Sequence, residues 1–263
     1  MLRTRVLAAL VGIPILLGLA WWGGLPWQVF TAVMAAGAMF EWFRAARDSE
    51  RQPLWTVGFL LLAVCFLTDR LPVPASVTGG LMAALILTVL IMVFRYPKAN
   101  IVDISVTWFA GIYLGLLTGY VWRLGNLDNH FTVITLALFL TWASDTGGYF
   151  AGSWFGRHKL APSLSPNKTW EGFFGGFVLT ILVAVLWSPF LPGHSLGEFV
   201  ILGVLAGILA PMGDLFASAV KRSFDVKDFG KLVPGHGGIL DRFDSFILVA
   251  PMVYHFIKGM GGW

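Results

Sequence analysis

"FVILGVLAGILAPMGDLFASAVKR", residues 199–222, decides the fold. Over 199–220 the only charge is Asp214, and two basic residues then close the run. A transmembrane helix needs about 20 predominantly apolar residues, so this stretch reads as one. The same pattern recurs along all 263 residues, which are 57% hydrophobic and 12% charged, with a mean hydropathy of +0.77. Soluble domains carry about a quarter charged residues, so a water-soluble globular fold is excluded. Nine segments qualify as spans: residues 4–22, 26–43, 54–70, 77–95, 103–122, 131–154, 171–190, 197–220 and 239–258. The expectation is an all-α polytopic integral membrane helical bundle, one membrane domain over 1–263. The first segment is long for a signal peptide and lacks a small-residue cleavage site, so it reads as a retained helix. Cys65 stands alone and can form no intramolecular disulfide.

Positive residues in short loops stay cytoplasmic and so orient the chain. With the N-terminus inside, the inside segments hold Arg3, Arg5, Arg44, Arg47, Arg51, Arg95, Lys98, Arg157, Lys159, Lys168, Lys221, Arg222, Lys227, Lys231 and Arg242. The outside segments hold only Arg70, Arg123 and Lys258 of the 18 basic residues. Fifteen against three predicts a cytoplasmic N-terminus and an outside C-terminus. The two longest polar loops, about 155–170 and 221–244, then both face the cytoplasm. Glycines at four-residue spacing (Gly111, Gly115, Gly119; Gly148, Gly152, Gly156) suit close helix approach in lipid. No internal repeat is visible, which argues against an inverted-repeat transporter.

Charge is concentrated in one place. Residues 221–244 hold nine of the 32 charged residues around a His-Gly-Gly turn. On the helix before it, Asp214, Ser218 and Lys221 stand at i, i+4 and i+7 and share a face. A carboxylate inside the apolar zone is costly and marks function, the alternative being a structural pair with a nearby lysine. The turn at Gly237 and Gly238 can present consecutive N–H groups to an anion. Lys221, Arg222, Lys227 and Arg242 surround it with cationic donors suited to phosphate. His236 hydrogen-bonds within the turn and joins the phosphate-binding set. Asp241 and Asp244, at i and i+3, open the ninth helix. Carboxylates among basic groups suggest a hard divalent cation bridging to phosphate, the manner of Mg²⁺. Attraction to anionic lipid explains the basic residues but not the aspartates or the glycines. In the other loop, "SPNKTWEGF" (165–173) offers a turn at Pro166, a cap at Asn167 and a point charge at Lys168. Asp145 is open to a structural and a functional reading, with Tyr149 one turn on as a hydrogen-bond partner. Asp145, Asn167, Asp228 and Asp244 stand as supporting residues.

The pattern Ser218-x-x-Lys221-Arg222-x4-Lys227-Asp228-x-Gly230-x3-Pro234-x-His236-Gly237-Gly238-x-x-Asp241-Arg242-x-Asp244 resembles the signature of bacterial phosphatidate cytidylyltransferases, the CDP-diacylglycerol synthases. "SPNKTWEG" (165–172) and "SDTGGYFAG" (144–152) resemble further segments of that family. Val233 departs, where a slightly larger aliphatic residue or Phe is usual. The resemblance implies that phosphatidate and CTP give CDP-diacylglycerol and pyrophosphate. It further implies Mg²⁺ with K⁺ beside it, a homodimer in the inner membrane, and no nucleic-acid partner. On that reading Asp214 and Asp241 hold Mg²⁺, while Asp214, Ser218, Lys221 and Asp241 are catalytic. Lys168, Arg222, Lys227, His236, Gly237, Gly238 and Arg242 hold substrate phosphates, and the acyl chains lie in a side opening of the bundle. Two other readings stay open: a CTP-dependent transferase with another lipid acceptor, and an ion-coupled transporter using Asp145 and Asp214.

Overall fold

A computed structural model describes residues 2–67, 75–230 and 237–259, with the backbone alone at 2–9, 67, 75 and 76. Among the described residues the nine apolar segments form nine α-helices: α1 (Leu2–Trp22), α2 (Gly24–Asp48), α3 (Trp55–Leu67), α4 (Ala75–Arg95), α5 (Ile101–Leu124), α6 (His130–Phe155), α7 (Trp170–Leu186), α8 (Leu196–Ser223) and α9 (Leu240–Gly259). The fold is polytopic and all-α in its body. Four spans, Val77–Arg95, Ile101–Leu124, Trp170–Phe190 and Leu196–Ser223, are long and apolar enough to cross a membrane. One addition departs from the expected helix-only plan. Between α6 and α7, β1 (Lys159–Ala161) and β2 (Ser165–Thr169) pair antiparallel as a small hairpin.

Local sequence sets the helix ends. Asn100 and Asp103 form a capping box on α5, and Ser195 and Glu198 form another on α8. Thr169, not Asn167, caps α7 by accepting from Gly172 N–H, because Asn167 is committed to strand β2. Helix contact is then set by small residues. A Cβ added at Gly147 would lie 2.7 Å from the Gly175 carbonyl oxygen and 2.9 Å from Gly176 Cα, so α6 and α7 touch backbone to backbone. On α5, Gly111 and Gly115 leave room for the Leu61 and Cys65 side chains of α3. Trp27, Phe43, Phe199 and Phe246 are fully buried in the core between helices.

Helix ends gather at two poles. At one, Ser49 after α2 donates to the Phe224 carbonyl after α8, and Gln52 N–H donates to Asp103 at the start of α5 (2.8 Å). The hairpin joins this pole through Lys168, which pairs with Asp214 on α8. At the other, Gly24 N–H meets the Gly125 carbonyl (2.9 Å), and Trp187 Nε1 donates to the Thr132 carbonyl (3.2 Å). Successive helices therefore run in alternating directions, and the described residues of both polar loops lie at one pole.

Candidate active site

A cavity of about 630 Å³ opens among α1, α2, α6, α8 and α9. Its walls have two characters. Ile13, Ile15 and Leu16 of α1, Phe30 of α2, and Leu138 and Trp142 of α6 make an apolar side. Asp145 of α6, Asp214 and Lys221 of α8, Asp228, and Asp241, Arg242 and Asp244 of α9 make a charged side. A smaller cavity of about 250 Å³ lies under the hairpin, lined by Tyr149, Asn167, Lys168 and Thr169, and shares Asp145 and Asp214 with the first.

The helical spacing on α8 delivers its three residues as expected. Ser218 Oγ donates to Asp214 Oδ1 at 3.4 Å, and Lys221 lies a turn further on. Pro211 sits one turn before Asp214, where it cannot donate a backbone hydrogen bond. Lys168 Nζ reaches in from β2, 2.7 Å from Asp214 Oδ2 and 3.5 Å from the Pro211 carbonyl oxygen. The lysine that pairs with Asp214 thus comes from the hairpin and not from α8.

Lys221 goes to Asp241 instead. Its Nζ donates to Asp241 Oδ1 at 2.7 Å, with the two side chains 11% and 3% exposed. Asp241 Oδ2 accepts from Phe229 N–H (3.0 Å) and Gly238 N–H (2.9 Å). Both oxygens of Asp241 are therefore engaged, Oδ1 with Lys221 of α8 and Oδ2 in holding the loop onto α9. Gly237 has φ +86°, and a Cβ there would also lie 2.8 Å from Asp241 Oδ2, so glycine is needed twice over. Asp244 is different. It is buried, faces the cavity, and accepts only from Ser245 N–H (2.7 Å) among the described residues.

Not every expected residue joins the site. Arg222 is exposed and donates to the Val226 carbonyl (3.1 Å), and Lys227 is exposed; neither lines the cavity. His236 lies outside the described residues. Tyr149 is 71% exposed, stacks edge-on against Phe150, and makes no hydrogen bond to Asp145. Glu171 accepts from Arg157 N–H and His158 Nδ1, pinning the hairpin to α7. Sequence reading missed Glu41, which is 2% exposed and accepts from Ile239 and Leu240 N–H at the start of α9. Its signal was present, since it is a lone acid in the apolar run 26–43.

The arrangement can bind several phosphates. Lys168, Lys221 and Arg242 supply positive charge, and Asp145, Asp214 and Asp244 supply hard oxygen ligands in one space beside an apolar wall. Among the described residues, no three His, Cys, Asp or Glu side chains are already grouped as a cation cage. The carboxylates of Asp145, Asp214 and Asp244 are hard oxygen donors of the kind Mg²⁺ takes one or two at a time, with its other ligands from water and substrate phosphate.

A model of the cytidylyltransferase family matches residues 3–260. The phosphatidate cytidylyltransferase of Bacillus subtilis (strain 168) is 33% identical over 260 residues, 96% of this chain and 96% of the relative. That of Staphylococcus aureus (strain COL) is 32% identical over 258 residues, 95% of each chain. That of Brucella suis biovar 1 is 31% identical over 262 residues, 97% of this chain and 93% of the relative. With the family model spanning nearly the whole sequence and the relatives matched end to end, the chain belongs to the cytidylyltransferase family.

Proposed function

We propose that the protein transfers CMP from CTP to phosphatidate, giving CDP-diacylglycerol and pyrophosphate. The observation that carries this reading is the two-sided cavity. Its carboxylates and cations can hold phosphates, and its α1 and α2 wall can hold a lipid, within one continuous space. Soluble nucleotide and membrane lipid need such a meeting place. The proposal includes an inner-membrane location, a homodimer, and a site facing the cytoplasm, the side that receives fifteen of the 18 basic residues.

Phosphatidate is a phosphomonoester with a second pKa near 6, so it is largely dianionic at neutral pH and needs no strong general base. One of its oxygens attacks the α-phosphorus of CTP in line. The new P–O bond forms as the bond to the β-phosphate bridging oxygen breaks, and pyrophosphate leaves with the electron pair. Arg242 and Lys168 offset charge on the transferred and leaving phosphates. Lys168 does so by exchanging Asp214 for a phosphate oxygen. Asp214 and Asp244, with Asp145 beside them, are the carboxylates that would hold Mg²⁺, which when bound neutralises triphosphate charge. Asp241 fixes Lys221 and the glycine turn at the rim.

The test is an acceptor panel. Purified protein with CTP and Mg²⁺ is given phosphatidate, diacylglycerol or a polyprenyl phosphate, and products are identified by mass. CDP-diacylglycerol from phosphatidate alone is expected. A cytidylylated product from another acceptor, with none from phosphatidate, overturns the assignment.

A further inference from the structure

Glu41 lies on α2, almost 200 residues before the helix it touches, and it does not line the cavity. It is 2% exposed, and among the described residues no cation pairs with it. A carboxylate in that position is expensive unless its oxygens are used. Both are used. Oε1 accepts from Ile239 N–H at 2.9 Å and Oε2 from Leu240 N–H at 3.0 Å. These are among the orphan donors that open α9, where negative charge is also favoured by the helix dipole.

The surroundings are shaped to this carboxylate. A Cβ on Gly238 would lie 2.5 Å from Glu41 Cδ, and one on Gly230 would lie 2.7 Å from it. Neither glycine has a positive φ, so close approach and not backbone conformation is what requires them. One turn before Glu41, Gly37 leaves room for the Ile239 side chain. One residue after it, Trp42 stacks on Phe229, with centroids 5.7 Å apart and an interplanar angle of 14°. One face of α2 therefore beds both ends of the connection between α8 and α9. Phe229 N–H and Gly238 N–H, at those two ends, are the donors to Asp241 Oδ2.

We propose that Glu41 is a positioning residue for the reaction. It fixes the first turn of α9 and both shoulders of the preceding loop, and so sets where Asp241 and Asp244 stand in the cavity. The side-chain choice is chemically specific. Two adjacent N–H donors need two acceptor oxygens; glutamine offers one, and aspartate is a methylene too short. The proposal rests on the cytidylyltransferase reading for its kinetic consequence but not for its geometry.

The experiment compares wild type with Glu41→Gln and Glu41→Asp as monodisperse protein. Turnover is measured across a Mg²⁺ titration, and affinity for Mn²⁺ alone is measured by electron paramagnetic resonance. Expected for Glu41→Gln are a loss of at least tenfold in kcat, a smaller change in KM for CTP, and Mn²⁺ binding weakened several-fold. A purely structural cap would lower thermal stability and leave turnover per folded molecule and the Mn²⁺ affinity where they were; that result overturns the proposal. A second arm covers misfolding. Gly238→Ala should damage the wild type strongly but cost less than threefold when added to Glu41→Ala, where the collision is gone. Equal damage in both backgrounds overturns the proposal as well. Wild-type protein that binds Mn²⁺ but turns over no CTP would remove the reaction and leave the positioning claim to the Mn²⁺ and glycine arms.

Discussion

Asp241 and Asp244 stand three residues apart in one cavity wall, yet Asp→Asn should do different things to them. Asp241 spends one oxygen on Lys221 and the other on Phe229 and Gly238 N–H. Asparagine has a single acceptor oxygen. Turned toward Lys221, it points its NH₂ at two buried N–H donors, at about 1–3 kcal/mol for each unsatisfied donor. Turned the other way, it leaves the Lys221 ammonium, 11% exposed, without its carboxylate, at about 3–5 kcal/mol. Across the two orientations Asp241→Asn should lose about 2–6 kcal/mol of stability. In Asp244→Asn the amide oxygen still accepts from Ser245, and a negative charge leaves a cavity shared with Asp145 and Asp214. Its stability should change by less than about 1 kcal/mol. Its turnover should fall roughly 100- to 1,000-fold, the equivalent of about 3–4 kcal/mol of transition-state stabilisation. The assay is thermal unfolding of detergent-purified protein beside CTP turnover on the same sample. An Asp241→Asn protein as stable as wild type would refute the pairing argument, and an Asp244→Asn protein of wild-type rate would remove that acid from the site.

Lys168→Ala, by removing the hairpin's cation from Asp214, should raise KM for CTP and lower kcat at least tenfold, with Lys168→Arg partly active; steady-state kinetics decide. Gly147→Leu should split α6 from α7 and cost several kcal/mol, while Gly79→Leu on the open face of α4 should cost under about 1 kcal/mol, compared by thermal unfolding. Chelation with EDTA should abolish turnover and Mg²⁺ should restore it, with helix content by circular dichroism unchanged throughout. In a Cys65→Ser background, single cysteines at Gln52 and Asn167 should label from the cytoplasmic side only, and one at Gly193 from the other side.

The sequence carried the helices and the residue types of the site, because hydropathy and i, i+4 spacing are local. Among the described residues the nine expected segments appear as helices α1–α9, and Asp214, Ser218 and Lys221 share a face as their spacing required. Partnerships across the chain were not legible. Nothing local says that Lys168 meets Asp214 while Lys221 meets Asp241, since both choices satisfy the same charges. The hairpin was hidden for a similar reason. Pro166 and Asn167 read as turn residues, but β1, only three residues long, offers them an antiparallel partner. Glu41 was visible as a lone acid in an apolar run, but its partners are backbone N–H groups at the start of another helix, which leave no mark in side-chain patterns, so its role was not legible.

On the proposed function, nucleotide and lipid phosphates react in one cavity, with CMP going to the lipid. The decisive measurement follows CTP labelled separately at the α- and γ-phosphates, with phosphatidate, Mg²⁺ and purified protein. Expected are α-label in the lipid phase, γ-label in pyrophosphate, equal amounts of each, and neither from Asp214→Asn. Label from the γ-phosphate in lipid, or a folded wild-type protein that leaves the lipid phase unlabelled, would contradict it.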